Sequence, residues 1–495
     1  MLVPMSLLRK SVTALILCAV CTLASAQELT LDQVITLARK QSVSALAARS
    51  SFISSYWAYR SYKASLLPSL NLYGTVASFD RSLRLLQNYE TGEMVYVKNY
   101  NMQNSLGLSV RQNISATGGT LSLYSDLSRI DQFGLGSIKT WYIQPVTLSY
   151  SQPIFAYNRL KWEKKISPKE YEKAKREYVE KMEGITVKAV YYFFQLALAR
   201  QNYENACSNY ANTKRMRDIA TEKAKLGVIA RDEILQLELR TLNDSISINE
   251  NLVALREARM DLSSYIGLDG TADTDPIVSD ELPDVLMDFD FVMGKTLENS
   301  SFTLSNEINV LNAEAATAQA KANRGLTMQL NARFGLSNSA DQFDSAFKNL
   351  PDQEVVGLTF SIPIFDWGMG RGRVKRAEAA ADVVRAQVEQ SENEYRSSVF
   401  TAVGQFNNQR QQCQVSRRAR DLAEERYILV MDRFSRGEAT VLELGNAQNE
   451  KDSAVRKHLS DLGNFWNYYY TLRQLTLYDF IENHDLDVQT DEMIN

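Results

Sequence analysis

Two stretches of this chain, Pro168–Lys225 and Arg373–Ser435, contain no helix breaker stronger than an isolated glycine, Gly184 in the first and Gly404 in the second. At 1.5 Å per residue each spans roughly 85–95 Å as a continuous helix. That is about three times the hydrocarbon core of a bilayer, whereas helices of globular domains average about 11–12 residues. Rods of this length bridge distance; they do not enclose a compact active site. Both keep a 4,3 apolar spacing. In the first, Met182, Ile185, Ala189, Tyr192, Leu196, Ala199, Tyr203, Ala206 and Tyr210 occupy successive seam positions. In the second, one register runs from Ala377 to Tyr395 and the next from Val399 through Phe406 and Cys413 to Tyr427 and Phe434. The extra step of four between them is a stutter, which locally unwinds a supercoil. This is coiled-coil patterning with small and aromatic seam residues, and the aromatic seams read as packing.

The rods belong to a duplicated unit. Pro153-Ile154-Phe155 recurs 210 residues later as Pro363-Ile364-Phe365, and Gly227 answers to Gly437 at the same offset of 210. Internal repeats at fixed spacing define architecture before any local reading does. Each unit has the order helix, strands, very long helix, glycine turn, helix. The expected division is a signal at 1–26, a first repeat at 27–268, an acidic linker at 269–290, a second repeat at 291–480 and a tail at 481–495. In the first repeat, strands fall at about 66–155, the long helix at about 168–225 and its return at about 228–267. In the second they fall at about 327–366, 373–435 and 438–478. Thr30 and Gln33 form a capping box for the opening helix, which is expected to run to about Ser65, and Ser167-Pro168-Lys169-Glu170 another for the first rod.

Arg9 and Lys10 precede an apolar run from Val12 to Leu23, and Ala24-Ser25-Ala26 fits a small-x-small cleavage site, placing the cut between Ala26 and Gln27. Beyond it no apolar run reaches the length of a spanning helix; the nearest, Ala189–Ala199, is too short and contains Gln195. An exported chain without such a helix is soluble or a β-barrel. The strand segments alternate. Leu70, Leu72 and Val76 face away from Asn71, Tyr73 and Thr75; Val146, Leu148 and Tyr150 from Thr147, Ser149 and Ser151; Leu330, Ala332 and Phe334 from Asn331, Arg333 and Gly335; Val356, Leu358 and Phe360 from Gly357, Thr359 and Ser361. A membrane barrel wall has this period, and so does a half-buried strand of a soluble sheet. The first inter-strand region is 50 residues longer than the second and holds an additional pair, Leu106–Asn113 and Thr120–Ser128. That pair extends a hairpin above the membrane or adds wall strands; the sequence leaves both open. Four strands cannot close a lumen alone, so a barrel requires several copies.

Composition narrows the chemistry. Lys and Arg number 55 against 59 Asp and Glu, for a net charge of −4, which argues against a nucleic-acid binder. Two histidines, His458 and His484, and two mature cysteines, Cys207 and Cys413, are too few for a multi-histidine or all-cysteine metal site. There is no nucleophile elbow or phosphate loop, and Gly368–Gly372 reads as a strand-to-helix junction. Neither an enzyme nor a cofactor is expected.

The opening Leu29-Thr30-Leu31-Asp32-Gln33-Val34-Ile35-Thr36-Leu37-Ala38, the segment Leu67-Pro68-Ser69-Leu70, the paired Ser151-Gln152-Pro153-Ile154-Phe155 and Ser361-Ile362-Pro363-Ile364-Phe365-Asp366-Trp367-Gly368, and the two glycine hairpins together resemble the TolC family of outer-membrane efflux and secretion channels. The resemblance covers nearly the whole mature chain. It implies a mainly α fold with a β-barrel part, built as a homotrimer in which each protomer gives four strands, or six with the extra pair, to a shared barrel. In the family the barrel has 12 strands. The resemblance also implies a passive duct in outer-membrane lipid, an adaptor (membrane fusion) protein, and an inner-membrane pump of RND or ABC type. Cargo would be drugs, other small molecules or proteins.

The family's hairpin tips meet the adaptor. The matching positions are Leu226, Gly227, Val228, Ile229 and Ala230 in the first repeat and Arg436, Gly437, Glu438, Ala439 and Thr440 in the second. A helical hairpin independently needs a left-handed residue, so each glycine also reads as a simple cap. In the family, acidic residues six and nine positions after the second tip glycine ring the entrance. Glu443 matches the first, and Asn446 replaces the second. A ring of carboxylates favours cations; alternatively Glu443, like Glu233, is a helix N-terminal carboxylate favoured by the dipole. The competing reading for the whole chain is a soluble periplasmic coiled-coil adaptor or scaffold.

Overall fold

The computed structural model describes residues 27–87, 91–133, 137–225, 230–268 and 274–487. The chain divides into two compact units. One comprises the residues up to Ile53, Ala174–Thr303 and everything from Glu392; the other comprises Ser54–Lys173 and Leu304–Ser391.

The second unit holds the sheet. Its strands are β2 (Ser69–Gln87), β3 (Met94–Ile114), β4 (Gly119–Gln132), β5 (Ile138–Ile154), β7 (Thr327–Ala340) and β8 (Asp352–Ser361). They pair antiparallel in the order β2-β3-β4-β5-β7-β8. The extra pair read from the sequence therefore lies inside the sheet, between β2 and β5, and runs from residue 94 to 132. Every strand has the 9–11 or so residues that a membrane crossing needs. At Gly107 the backbone of β3 runs so close to Tyr73 and Asp126 that a Cβ would sit 2.6 Å from the tyrosine ring. The space is used by a Tyr73 hydroxyl donating to Asp126 Oδ1 at 2.6 Å.

The first unit is mainly helical, and four of its helices continue into the second. After β1 (Gln27–Thr30), helices α1 (Leu31–Gln41) and α2 (Val43–Ser65) follow; in the second repeat α5 (Phe289–Asn299) and α6 (Ser301–Arg324) take their places. The Thr30–Gln33 capping box forms in both directions, and Asp288 Oδ2 caps α5 by accepting from the Phe291 amide at 2.9 Å. The opening helix expected to run unbroken to about Ser65 is interrupted at Ser42, and its counterpart at Ser300. Both serines are buried and extended and stop the preceding helix; Ser42 Oγ then caps α2 through the Ala45 amide.

The short α7 (Phe343–Ala346) lies between β7 and β8; the rods are α3 (Arg159–Lys225) and α8 (Met369–Arg436), with return helices α4 (Arg231–Ile266) and α9 (Val441–Thr476). At 67 and 68 residues each rod is about 100 Å long. The first starts nine residues before the expected Pro168. Asn158 Oδ1 accepts from the Lys161 amide and supplies the cap, and the helix carries Pro168 in its interior. The seam residues are inside: Met182, Ile185, Ala189, Leu196, Val399, Phe406 and Cys413 are buried in one core with Leu262, Ile266, Phe465 and Leu472. Cys207 and Cys413 are free, and burial raises the Cys413 thiol to about 11.

The acidic stretch 269–290 is more than a linker. Its β6 (Thr274–Ile277) pairs in parallel with β1. Asp275 meets Arg259 at 2.7 Å, Asp280 meets Arg420 at 2.8 Å, and Asp284 meets Arg410. Aspartates that look like solvent-exposed spacing are in fact matched to arginines on the helices. The tail likewise starts with order: β9 (Tyr478–Asp479) and β10 (His484–Asp485) form a small hairpin, and Tyr478 and Phe480 enter the core.

Candidate functional site

Helix ends leave unsatisfied backbone carbonyls, and the tip of the second hairpin shows how this chain satisfies them. Gly437 has φ of +86°, the left-handed conformation that disfavours side chains. The Gly437 amide donates to Phe434 O at 3.0 Å and the Glu438 amide to Arg433 O at 2.9 Å, which is a complete Schellman motif. Arg433 also donates to Glu438 O, and Arg436 bridges Asp432 at 2.6 Å and Glu438 at 3.3 Å. Arg436, Gly437, Glu438 and Thr440 are exposed, while Ala439 packs against a small core of Met216, Leu237, Tyr427, Phe434, Val441 and Leu444. That core joins both hairpins, and Lys223 Nζ donates to Ser435 O at 3.2 Å across it. In the first hairpin Leu226, Gly227, Val228 and Ile229 lie outside the described residues; Ala230 is the N-cap of α4 and makes no side-chain capping bond.

Glu443 occupies the third position of α9. Its carboxylate accepts from the Thr440 amide at 2.8 Å and from the Thr440 hydroxyl at 3.2 Å, and its own amide donates back to Thr440 Oγ1. The capping role read as one alternative is thus present. Those bonds, the Thr440 backbone first, hold the carboxyl below the ordinary glutamate range, so it stays anionic. Glu443 and Asn446 are both exposed and one turn apart, on the same stripe of α9. Gln27 opens β1, and Ala26 lies outside the described residues.

The sheet sorts its residues by face, apolar on one and polar on the other. Leu70, Val110, Leu123, Leu148 and Phe334 stand opposite one another along one row, and all but Val110 are at least two-fifths exposed. The alternate row, Ser69, Arg111, Ser122, Ser149 and Arg333, is polar. Aromatic residues flank this face. Trp141 meets Phe343 edge-on at 5.0 Å near one end of the strands, and Phe365 meets Trp367 at 4.4 Å just past the other. At that junction Asp366 accepts from the Gly370 and Gly368 amides, and so opens α8 directly after the strand.

A second apolar feature escaped the sequence reading. Along α4, Leu235, Leu239, Leu242, Ile246, Val253 and Met260 repeat in 4,3 and sevenfold steps and are all more than half exposed. On α8, Val415, Leu422 and Leu429 repeat every seven residues and are exposed as well. The signal was present, since Leu235–Ile246 keeps the seam spacing found in the rods. Among the described residues no helix is long and apolar enough to cross a membrane, and no cluster of His, Cys, Asp and Glu is placed to hold a metal ion.

Duplicated helical hairpins and a two-faced antiparallel sheet define the fold of TolC-like outer-membrane channels. Residues 293–476 match the family model described as outer membrane efflux protein. Among solved structures, the fold is similar to the CmeC outer membrane channel of Campylobacter jejuni, with 15% identity, 94% of this chain and 88% of that one covered, and a TM-score of 0.65. It is similar to the outer-membrane channel OprN at 16% identity, 90% and 89% coverage and a TM-score of 0.64. It is similar to the outer membrane protein VceC of Vibrio cholerae at 14% identity, 92% and 97% coverage and a TM-score of 0.62. At these identities the likeness is one of fold. A comparison with curated proteins finds no match. The family-model match within the second repeat and the shared fold agree with the TolC-family resemblance drawn from the sequence.

Proposed function

We propose that this chain, after removal of residues 1–26, forms a homotrimeric passive duct in the outer membrane. The observation that carries this reading is the sheet. Its apolar face is exposed along its strands, in a chain whose described helices cannot span a bilayer. A soluble scaffold would leave that face in water, at a cost of about 25 cal/mol for each Å² of apolar surface. The unpartnered seams on α4 and α8 support homo-oligomerisation, because α4 of one copy can pack against α8 of the next in a ring. The tips dock an adaptor that links the duct to an inner-membrane pump of RND or ABC type. The cargo class is drugs, other small molecules or proteins, which the duct conducts without chemical change.

The test is recovery of the protein in the outer-membrane fraction and ion conduction by the purified protein in planar bilayers. Recovery in the soluble periplasm would reject the duct.

Two site variants refine it. Gly437→Val places a β-branched residue at φ +86°, at a cost of roughly 1–3 kcal/mol. It should abolish efflux in a drug-susceptibility assay while trimers persist in the membrane. Loss of the trimers instead would make Gly437 purely structural.

Glu443→Gln removes one charge per copy from the entrance and should lower cation selectivity in bilayers. The depressed carboxyl pKa sets the sign of the pH effect: selectivity holds at neutral pH and fades only as pH falls through that lowered value. Unchanged reversal potentials would remove Glu443 from the entrance.

A further inference from the structure

The family resemblance implies four wall strands per copy in a barrel of twelve. The sheet of this chain has six, and both of its outer strands, β2 and β8, have one edge without a partner within the sheet. Such edges carry rows of unmet backbone donors and acceptors, which in lipid cannot be left open. We infer that each copy contributes all six strands to the shared wall. The free edge of β8 pairs with the free edge of β2 in the next copy, and three copies close a barrel of eighteen strands. This rests on the trimeric duct proposed above.

Four observations argue for wall strands over an appendage. First, β3 and β4 lie between β2 and β5, so removing them from the wall would leave β2 without a partner in its own chain. Second, both faces of the sheet continue through the inserted pair, with Ser125, at an irregularity of β4, the polar exception opposite Leu108. On the apolar face Leu72 stands opposite Leu108, and Val110 opposite Leu123. On the polar face Arg111 stands between Ser69 and Ser122.

Third, the turn joining β3 to β4 sits at the helical end of the sheet. Asn158 Nδ2, beside the start of α3, donates to Ser115 O at 3.0 Å, and Gln152 Nε2 donates to Thr117 O at 3.0 Å. Gln112 Nε2 reaches Leu66 O, just beyond the end of α2, at 2.8 Å. The inserted strands therefore run from the helical end outward, as the other four do. Fourth, an even number of antiparallel strands leaves β2 and β8 running in opposite directions. Copies joined edge to edge thus continue the antiparallel order, as a closed outer-membrane barrel requires. Since diameter grows roughly in proportion to strand number, this wall would be about 1.5 times as wide as one of twelve.

The decisive measurement is an electron-microscopy reconstruction of the purified full chain in lipid nanodiscs, with the strands counted in cross-section. Eighteen strands in a trimer is the expected result. Twelve in an intact trimer would overturn this inference and leave the duct standing; a monomer, or an oligomer without a barrel, would overturn both.

A second test needs no reconstruction. In outer-membrane vesicles, a water-soluble maleimide should label Ser109→Cys, which faces the lumen, at least tenfold faster than Leu108→Cys, which faces lipid. Equal labelling of the two would place β3 outside the wall. Both changes are single-residue exchanges on strand faces and leave the backbone ladder in place.

Discussion

Leu239→Asp combined with Leu242→Asp should convert the proposed trimer into monomers. Both leucines lie on the exposed seam of α4 and make no contribution to the core of their own chain, which α4 reaches through Leu237, Leu255, Leu262 and Ile266. A leucine fully removed from water contributes about 1.5–3 kcal/mol, and each interface of a three-membered ring would bury two of them. The aspartates add the further cost of desolvating an unpaired carboxylate, so the pair of changes exceeds what one interface can tolerate. The helical circular dichroism should be unchanged, because the inward stripe of α4 is untouched. Mass determination in detergent reads the result, with Leu239→Ala as a milder member of the series. Retention of the trimer by the double aspartate variant would mean that this seam meets something other than a second copy.

The seam also shows where sequence reading succeeded and failed. A rod with nine consecutive seam positions announces its buried face, and Met182, Ile185, Ala189 and Leu196 are indeed buried. The return helix α4 carries two stripes on one cylinder, an inward one at Leu237, Leu255 and Leu262 and an outward one at Leu235, Leu239 and Leu242. Superposed, they blur each other's period. The additional strand pair is legible by alternation only over 106–128, because the first half of β3 is apolar on both faces at Met94-Val95-Tyr96-Val97 and mixed from Lys98 to Asn104, so the alternation fades. Its place in the sheet comes from hairpin pairing with its chain neighbours β2 and β5, which alternation alone does not specify. The acidic stretch carries no local sign of these pairings, because aspartate and proline are also what a solvated loop uses; Asp275 meets Arg259 a short way back in the chain, whereas Asp280 and Asp284 meet Arg420 and Arg410, far along it. At the tip, Gly437 was legible from the rule that a helix of this kind ends in a left-handed residue, and Thr440 and Glu443 had the spacing of a capping box all along.

The most consequential residue that the pattern concealed is Glu183. It sits one position after a seam methionine, on a rod rich in charge, and nothing in the local sequence separates it from a solvent-facing glutamate. Its side chain is fully buried. Oε1 accepts from Arg39 Nη1 at 2.7 Å, and Oε2 lies 3.0 Å from Arg473 Nε. Arg473 then pairs with Asp479, which also accepts from the Tyr469 hydroxyl at 2.8 Å and from the Ile481 and Glu482 amides. The series Arg39, Glu183, Arg473, Asp479 alternates in sign and ties α1, α3, α9 and β9 together.

Glu183→Ala removes one negative charge from the middle and leaves two guanidinium groups facing each other around a cavity. Truncating one partner of a buried pair typically costs about 3–5 kcal/mol, because the remaining charge is stranded. The expected outcome is a loss of that size in denaturant unfolding, whereas Glu183→Gln, which keeps the shape and an acceptor, should lose less. Burial alone would raise the Asp479 carboxyl, but the Glu482 amide, Tyr469 and Arg473 outweigh it and hold it below the ordinary aspartate range. A depressed carboxyl contributes stability above its unfolded pKa and surrenders it as pH falls through the folded value. Asp479→Asn should therefore flatten the acid limb of the stability profile while leaving the neutral-to-alkaline region parallel to the parent. A loss below about 1 kcal/mol for Glu183→Ala, the scale of an exposed ion pair, would show that water reaches this network and that the four charges act as a surface group.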